Sequence, residues 1–171
     1  MKNRNIAALA GMLLSSAAYA QQPPMQDTLL DHMTGRWVLQ GSVAGKETTH
    51  DVEAVWVLNH HYVRIHEVSR EKNAHGQPAY EAEVYIGWDQ AAGEYVCLWI
   101  DVWGGAGPGT IGRAASGRHE IAFLFRDANN AVDFHTTFVY NASERLWSWV
   151  MDNDTGGKLS PFARLTMTPA Q

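Results

Sequence analysis

Cysteine occurs once in the 171 residues, at Cys97, so no internal disulfide can form and stability must come from a packed core. Basic residues are outnumbered, 13 Lys and Arg against 18 Asp and Glu, for a formal charge of −5. Two of those basic residues, Lys2 and Arg4, sit in the amino-terminal segment, so the rest of the chain is more acidic still. Such a balance disfavours nucleic acid and anionic membranes as partners, because both need a basic face. Long apolar runs are also missing. The stretch Ile6 to Leu14 is too short for a permanent membrane helix, and no cysteine follows Ala20 to accept a lipid, so stable membrane insertion is not expected. Lys2 and Arg4 before this stretch and Ala18-Tyr19-Ala20 after it read as an export signal over residues 1–20, cleaved after Ala20. A periplasmic or secreted product is the expectation.

Catalytic and metal signatures are sparse. There is no His-Glu-x-x-His, and one cysteine cannot complete a zinc knuckle. His60 and His61 are adjacent, so on a strand they point to opposite faces and cannot chelate together. No metal and no cofactor is expected. Gly107-Pro-Gly109-Thr-Ile-Gly112 satisfies a dinucleotide-loop expression, but no helix pattern follows to hold a pyrophosphate, and a flexible glycine loop at a rim is the better reading. Asp152-Asn-Asp-Thr-Gly-Gly157 looks like the start of a calcium loop yet lacks the closing Glu, so a hairpin turn is expected there. Asn141-Ala-Ser143 likewise makes a turn. A Gly-x-Ser-x-Gly elbow is absent, and Cys97 has no base nearby in sequence.

What the chain does have is aromatic mass, with seven Trp, six Tyr and five Phe, set in segments of period two. Residues 21–28 form a polar, proline-bearing lead expected to be disordered. Asp27 or Thr28 can cap a short helix carrying Leu29, Leu30 and Met33, with Gly35 as its stop. Nine strands follow: Arg36 to Val43, Thr48 to Leu58, His61 to Arg70, Ala79 to Trp88, Glu94 to Trp103, Arg118 to Arg126, Val132 to Tyr140, Leu146 to Met151 and Leu159 to Thr168. A tenth is possible near Thr110 to Ala114. Short turns with no intervening helix exclude a parallel sheet. They point to an all-β domain over residues 29–168, an up-and-down antiparallel barrel or a sandwich.

Alternation assigns faces. Tyr80, Ala82, Val84, Ile86 and Trp88 share one side of their strand and Glu81, Glu83 and Tyr85 the other. The next strand is apolar on both faces, with Tyr95, Cys97, Trp99, Asp101 and Trp103 alternating with Val96, Leu98, Ile100 and Val102. Both faces therefore need cover, one by the interior and the other by the helix or a second molecule. Tyr62, Arg64, His66 and Val68 form a polar stripe. Asp101, between Trp99 and Trp103, must pair with an arginine such as Arg64 or Arg164, or else hold its proton. A structural ion pair is the expectation for Asp101.

Gly35-Arg36-Trp37, Ile86-Gly87-Trp88-Asp89, Gly93-Glu94-Tyr95-Val96 and Trp99-Ile100-Asp101 together resemble the exported lipocalin-like proteins of the DUF1579 group, within the calycin-like barrels. The resemblance spans about Leu29 to Thr168. It implies a nine- or ten-stranded barrel with a short N-terminal helix, closed at one end by Gly35, Trp37 and an Arg164 packed across the tryptophan. Haem-binding barrels of the nitrobindin type share the Gly-x-Trp opening but carry a late histidine iron ligand. The last histidine here is His135, and none lies on the closing strand. With the fold so implied, the expected activity is binding of a small apolar molecule or lipid in the interior. Tyr62, Arg64, His66, Tyr95, Trp99, Asp101, Trp103, Phe138, Trp147 and Trp149 are the candidate ligand contacts. Two alternatives stand beside it: a filled barrel serving as an envelope or interaction module, and an acid–base enzyme using Asp101 and His66.

Overall fold

The computed structural model describes residues 23–171. The expected export signal and its cleavage point after Ala20 lie outside the described residues, as do Gln21 and Gln22. One short helix, α1 (Thr28–Asp31), precedes ten strands. These are β1 (Gly35–Val43), β2 (Lys46–Val57), β3 (Tyr62–Ser69), β4 (Glu81–Asp89), β5 (Glu94–Asp101), β6 (Ile111–Ala115), β7 (Glu120–Arg126), β8 (Val132–Asn141), β9 (Leu146–Thr155) and β10 (Lys158–Pro169). Each strand pairs antiparallel with the next, and β10 returns to β1, so the sheet closes on itself as an up-and-down barrel. Closure leaves no free sheet edge, and every wall residue points either inward or outward.

The turns form for local reasons. Asp89 accepts the N–H groups of Ala91 and Ala92 at 3.0 and 3.1 Å and closes the β4–β5 hairpin. Asn141 does the same for β8–β9 with the N–H and hydroxyl of Ser143. Gly156 and Gly157, at φ +63° and +87°, supply the two left-handed positions of the tight β9–β10 turn. That hairpin is longer than the sequence suggests, because β9 runs on to Thr155 instead of ending at Met151. Asp152 and Asp154 are therefore strand residues, taken up by Arg164 and His135. The glycine loop before β6 holds only a 3₁₀ turn, Pro108–Thr110, at the barrel rim.

One end of the barrel is packed shut. Asp27 caps α1 by accepting the N–H groups of Leu29 and Leu30, both at 2.9 Å, and its other carboxylate oxygen accepts the Tyr95 hydroxyl. Met25 donates its N–H to the His60 carbonyl at 3.0 Å, so the lead expected to be disordered over 21–28 is tied down from that residue on. Leu29, Leu30 and Met33 seal the opening. Trp37 donates to the Met33 carbonyl at 2.8 Å and Trp147 to the His32 carbonyl at 3.2 Å, fixing the helix against the wall. Above them Phe123, Phe138, Trp147 and Trp149 are fully buried, with Phe138 and Trp149 edge to face at 4.7 Å.

Arg164 does not take part in this closure. The register sets Arg164 opposite Ser42 and Trp37 opposite Pro169, so the two side chains belong to different ends of the seam. Arg164 instead donates to the Met151 and Ala163 carbonyls at 2.7 Å and to the Asp152 carboxylate, binding β10 to β9. Nor does α1 cover the outer face of β5. Leu98, Ile100 and Val102 remain 39, 39 and 53 % exposed, because the helix plugs the end of the barrel and leaves its side bare.

Candidate functional site

The end opposite α1 is open. The long connections after β3 and β5 flank two adjoining hollows there, of about 350 and 430 Å³. They share Tyr80, Trp99, Trp103, Met151 and Phe162, so they form one cup. Trp99 lies edge to face with Trp149 at 6.2 Å, which makes the buried aromatic layer the floor. Phe134, edge to face with Phe162 at 5.3 Å, continues the wall. The interior is thus packed in one half and hollow in the other.

Polar groups converge on this cup from β2, β3 and the strand before it turns into β4. In β3 the inward positions are Val63, Ile65, Glu67 and Ser69, all buried. In β2 they include His50, Val52 and Ala54. Glu67 (2 % exposed) and His50 (4 % exposed) are in direct contact through Oε1 and Nδ1. The other histidine nitrogen, Nε2, lies 2.7 Å from the Thr48 hydroxyl, which donates to Glu71 Oε2 at 2.9 Å. Burial works against ionisation of Glu71, but hydrogen bonds from its own N–H, the Thr48 hydroxyl and the Thr49 N–H, with the charge of His50, bring it below the ordinary carboxylate value.

Thr48 has one hydroxyl proton and gives it to the ionised Glu71, so His50 Nε2 must be the donor to Thr48. His50 Nδ1 is then left to meet Glu67 Oε1. The remaining oxygen, Glu67 Oε2, is buried and has no hydrogen-bond partner among the described residues.

Tyr80 stands over the pair, stacked on His50 at 5.6 Å. Its hydroxyl accepts the Trp99 indole N–H at 3.0 Å and faces Asp101 Oδ2 at 3.4 Å. Burial foremost, then the negative charge of Glu67, raises its pKa far above that of an ordinary phenol; Asp101 adds to this and the Trp99 hydrogen bond opposes it. Trp103 leans on Tyr80 at 5.0 Å with most of its ring in solvent, a rim residue beyond the end of β5.

Of the residues singled out from sequence, the cup brings together Trp99, Asp101 and Trp103. Phe138, Trp147 and Trp149 are interior but belong to the packed half. Tyr95 is interior at the helix end, bonded to Asp27, and faces a separate recess of about 360 Å³. Tyr62, Arg64 and His66 do not line the interior. They occupy the outward positions of β3, where Tyr62 lies across Gly87, Arg64 faces Glu53 and Glu83, and His66 meets Glu81 at 2.9 Å. Asp101 and His66 are consequently on opposite sides of the wall and cannot act on one bound molecule. His50, Glu67 and Tyr80 are the polar residues missed. Val63 and Ile65 carry the signal that could have found Glu67, because an apolar pair at that phase marks the inward side and makes the next residue of the series a buried acid.

Among the described residues no group of three or more His, Cys, Asp or Glu could hold a metal ion, and no helix is long and apolar enough to cross a membrane. Neither a known family model nor a curated protein matches the chain.

Proposed function

We propose that this protein is an exported, lipocalin-like carrier that binds a small, largely apolar molecule in the open half of its barrel. The observation that supports the reading best is the cup itself, walled by Tyr80, Trp99, Trp103, Phe134, Met151 and Phe162 and floored by a packed aromatic layer. Its size suits a ligand of modest dimensions, and apolar area supplies affinity while a few polar groups set orientation. The amino-terminal pattern of charge, apolar run and small-x-small site supports export, and the Gly-x-Trp opening supports kinship with the DUF1579 group. The interior seals at the α1 end, so a guest enters past Trp103 and the glycine loop.

Titration of the mature chain with an uncharged apolar fluorophore, N-phenyl-1-naphthylamine, tests this. Saturable one-to-one binding with quenching of tryptophan emission is expected, together with loss of at least about tenfold in affinity in Trp99→Ala, roughly 1.4 kcal/mol. Emission that rises without saturating, or binding unchanged in Trp99→Ala, overturns the reading.

A further inference from the structure

Resting on the reading of the cup as a ligand site, we infer that its guest carries a protonated amine, received between the carboxylates of Glu67 and Asp101. The barrel register puts these two side chains in one row. Glu67 pairs with Ala82, and Ala82 with Asp101, all three on the inward face. Two interstrand spacings separate the outer members, roughly 10 Å between backbones, and the side chain between them is a single methyl group. Glu67 lines one hollow of the cup and Asp101 the other, and Tyr80 lines both.

Glu67 is the more telling of the two. It is 2 % exposed, and a buried carboxylate with a bare oxygen is costly unless something donates to it. Oε1 is committed to His50 and Glu67 lines the cup, so the missing donor for Oε2 is one a guest can bring. An ammonium group fits in three ways. Its N–H donates to Oε2 as a charge-assisted bond. Its charge is welcome beside acids, for Glu47, Glu67, Glu71, Asp101 and Asp133 line the cup against Lys46 and His50. Its methylene neighbours lie against Trp99, Tyr80 and Trp103, whose faces attract a cation. Asp101 retains acceptor capacity, since Oδ1 takes the Trp103 N–H at 2.9 Å while Oδ2 has only the 3.4 Å contact to Tyr80. A fatty-acid carboxylate meets the opposite environment.

Calorimetric titration of the mature protein at neutral pH with octylammonium, 1-octanol, octanoate and octyltrimethylammonium decides the matter. The expected order is octylammonium at least tenfold tighter than 1-octanol, and octanoate weakest. Octyltrimethylammonium, which keeps the charge but has no N–H to give, falls below octylammonium. In Glu67→Gln, which leaves an acceptor for His50, octylammonium drops to the level of 1-octanol and 1-octanol is unchanged. The wild-type ranking stands alone if that variant does not fold. Equal binding of octylammonium and 1-octanol, parity of the two ammonium ions, or tightest binding of octanoate overturns the amine assignment and leaves the apolar cup intact. Absence of binding by all four overturns both.

Discussion

Three acidic protons in this barrel are kept by burial. Cys97 is wholly enclosed, and desolvation raises its thiol pKa. Tyr80 is raised by burial and then by Glu67, Tyr95 by burial and then by its bond to Asp27. Each group ionises more readily in the unfolded chain than in the folded one. Their contribution to stability is therefore intact below their ordinary values and is lost as pH climbs past about 9 for the thiol and about 10 for the phenols. Thermal midpoints should hold steady through neutral pH and fall from about pH 9 upward, with a shallower fall in Tyr80→Phe. A midpoint flat to about pH 11 contradicts this. The same residues show why the site was only half legible in the sequence. Trp99, Asp101 and Trp103 announce themselves as aromatics around an acid. Glu67 hides because the neighbouring stripe Tyr62, Arg64, His66 is more polar, and polarity on a half-buried strand marks the wet side.

At the scale of elements, the seam between β1 and β10 decides whether the sheet is a barrel or an open sheet. Gly41 sits in that seam at φ +148°, and a Cβ built there would lie 2.2 Å from the Arg164 carbonyl oxygen. Backbone and space both demand glycine. Gly41→Ala should cost about 2 to 3 kcal/mol in urea unfolding, and a cost below about 0.5 kcal/mol would show that the seam is slack. Nine of the strands were readable from alternation and turn chemistry, and the tenth, β6, from a short β-branched hint at Thr110 and Ile111. The long end of β9 was not. Asp152 to Thr155 has the composition of a turn, and its pairing with β10 and β8, with Arg164 and His135 as side-chain partners, makes it strand. The expected contact of Arg164 with Trp37 came from the resemblance alone, and the β1–β10 register places Arg164 opposite Ser42.

For the whole molecule, the division between a solid half and a hollow half separates two kinds of tryptophan. Trp149 is fully buried at the boundary, and Trp103 is 71 % exposed at the rim. Trp149→Ala should lower stability by about 3 to 5 kcal/mol, whereas Trp103→Ala should change it by no more than about 0.5 kcal/mol. Chemical denaturation of the two variants side by side checks the contrast. Similar losses in both would mean that the rim bears weight.

The layer of Phe123, Phe138, Trp147 and Trp149 ties β7, β8 and β9 together beneath the helix plug, and Trp103 at the rim of the vestibule has no share in that task. The vestibule's exposed rim can be rewritten with little risk to folding. A bench chemist could vary Trp103 to reshape that mouth, in the way a lock is rekeyed without rebuilding the door, while Phe134 and Phe162, which pack against the core, stay in place.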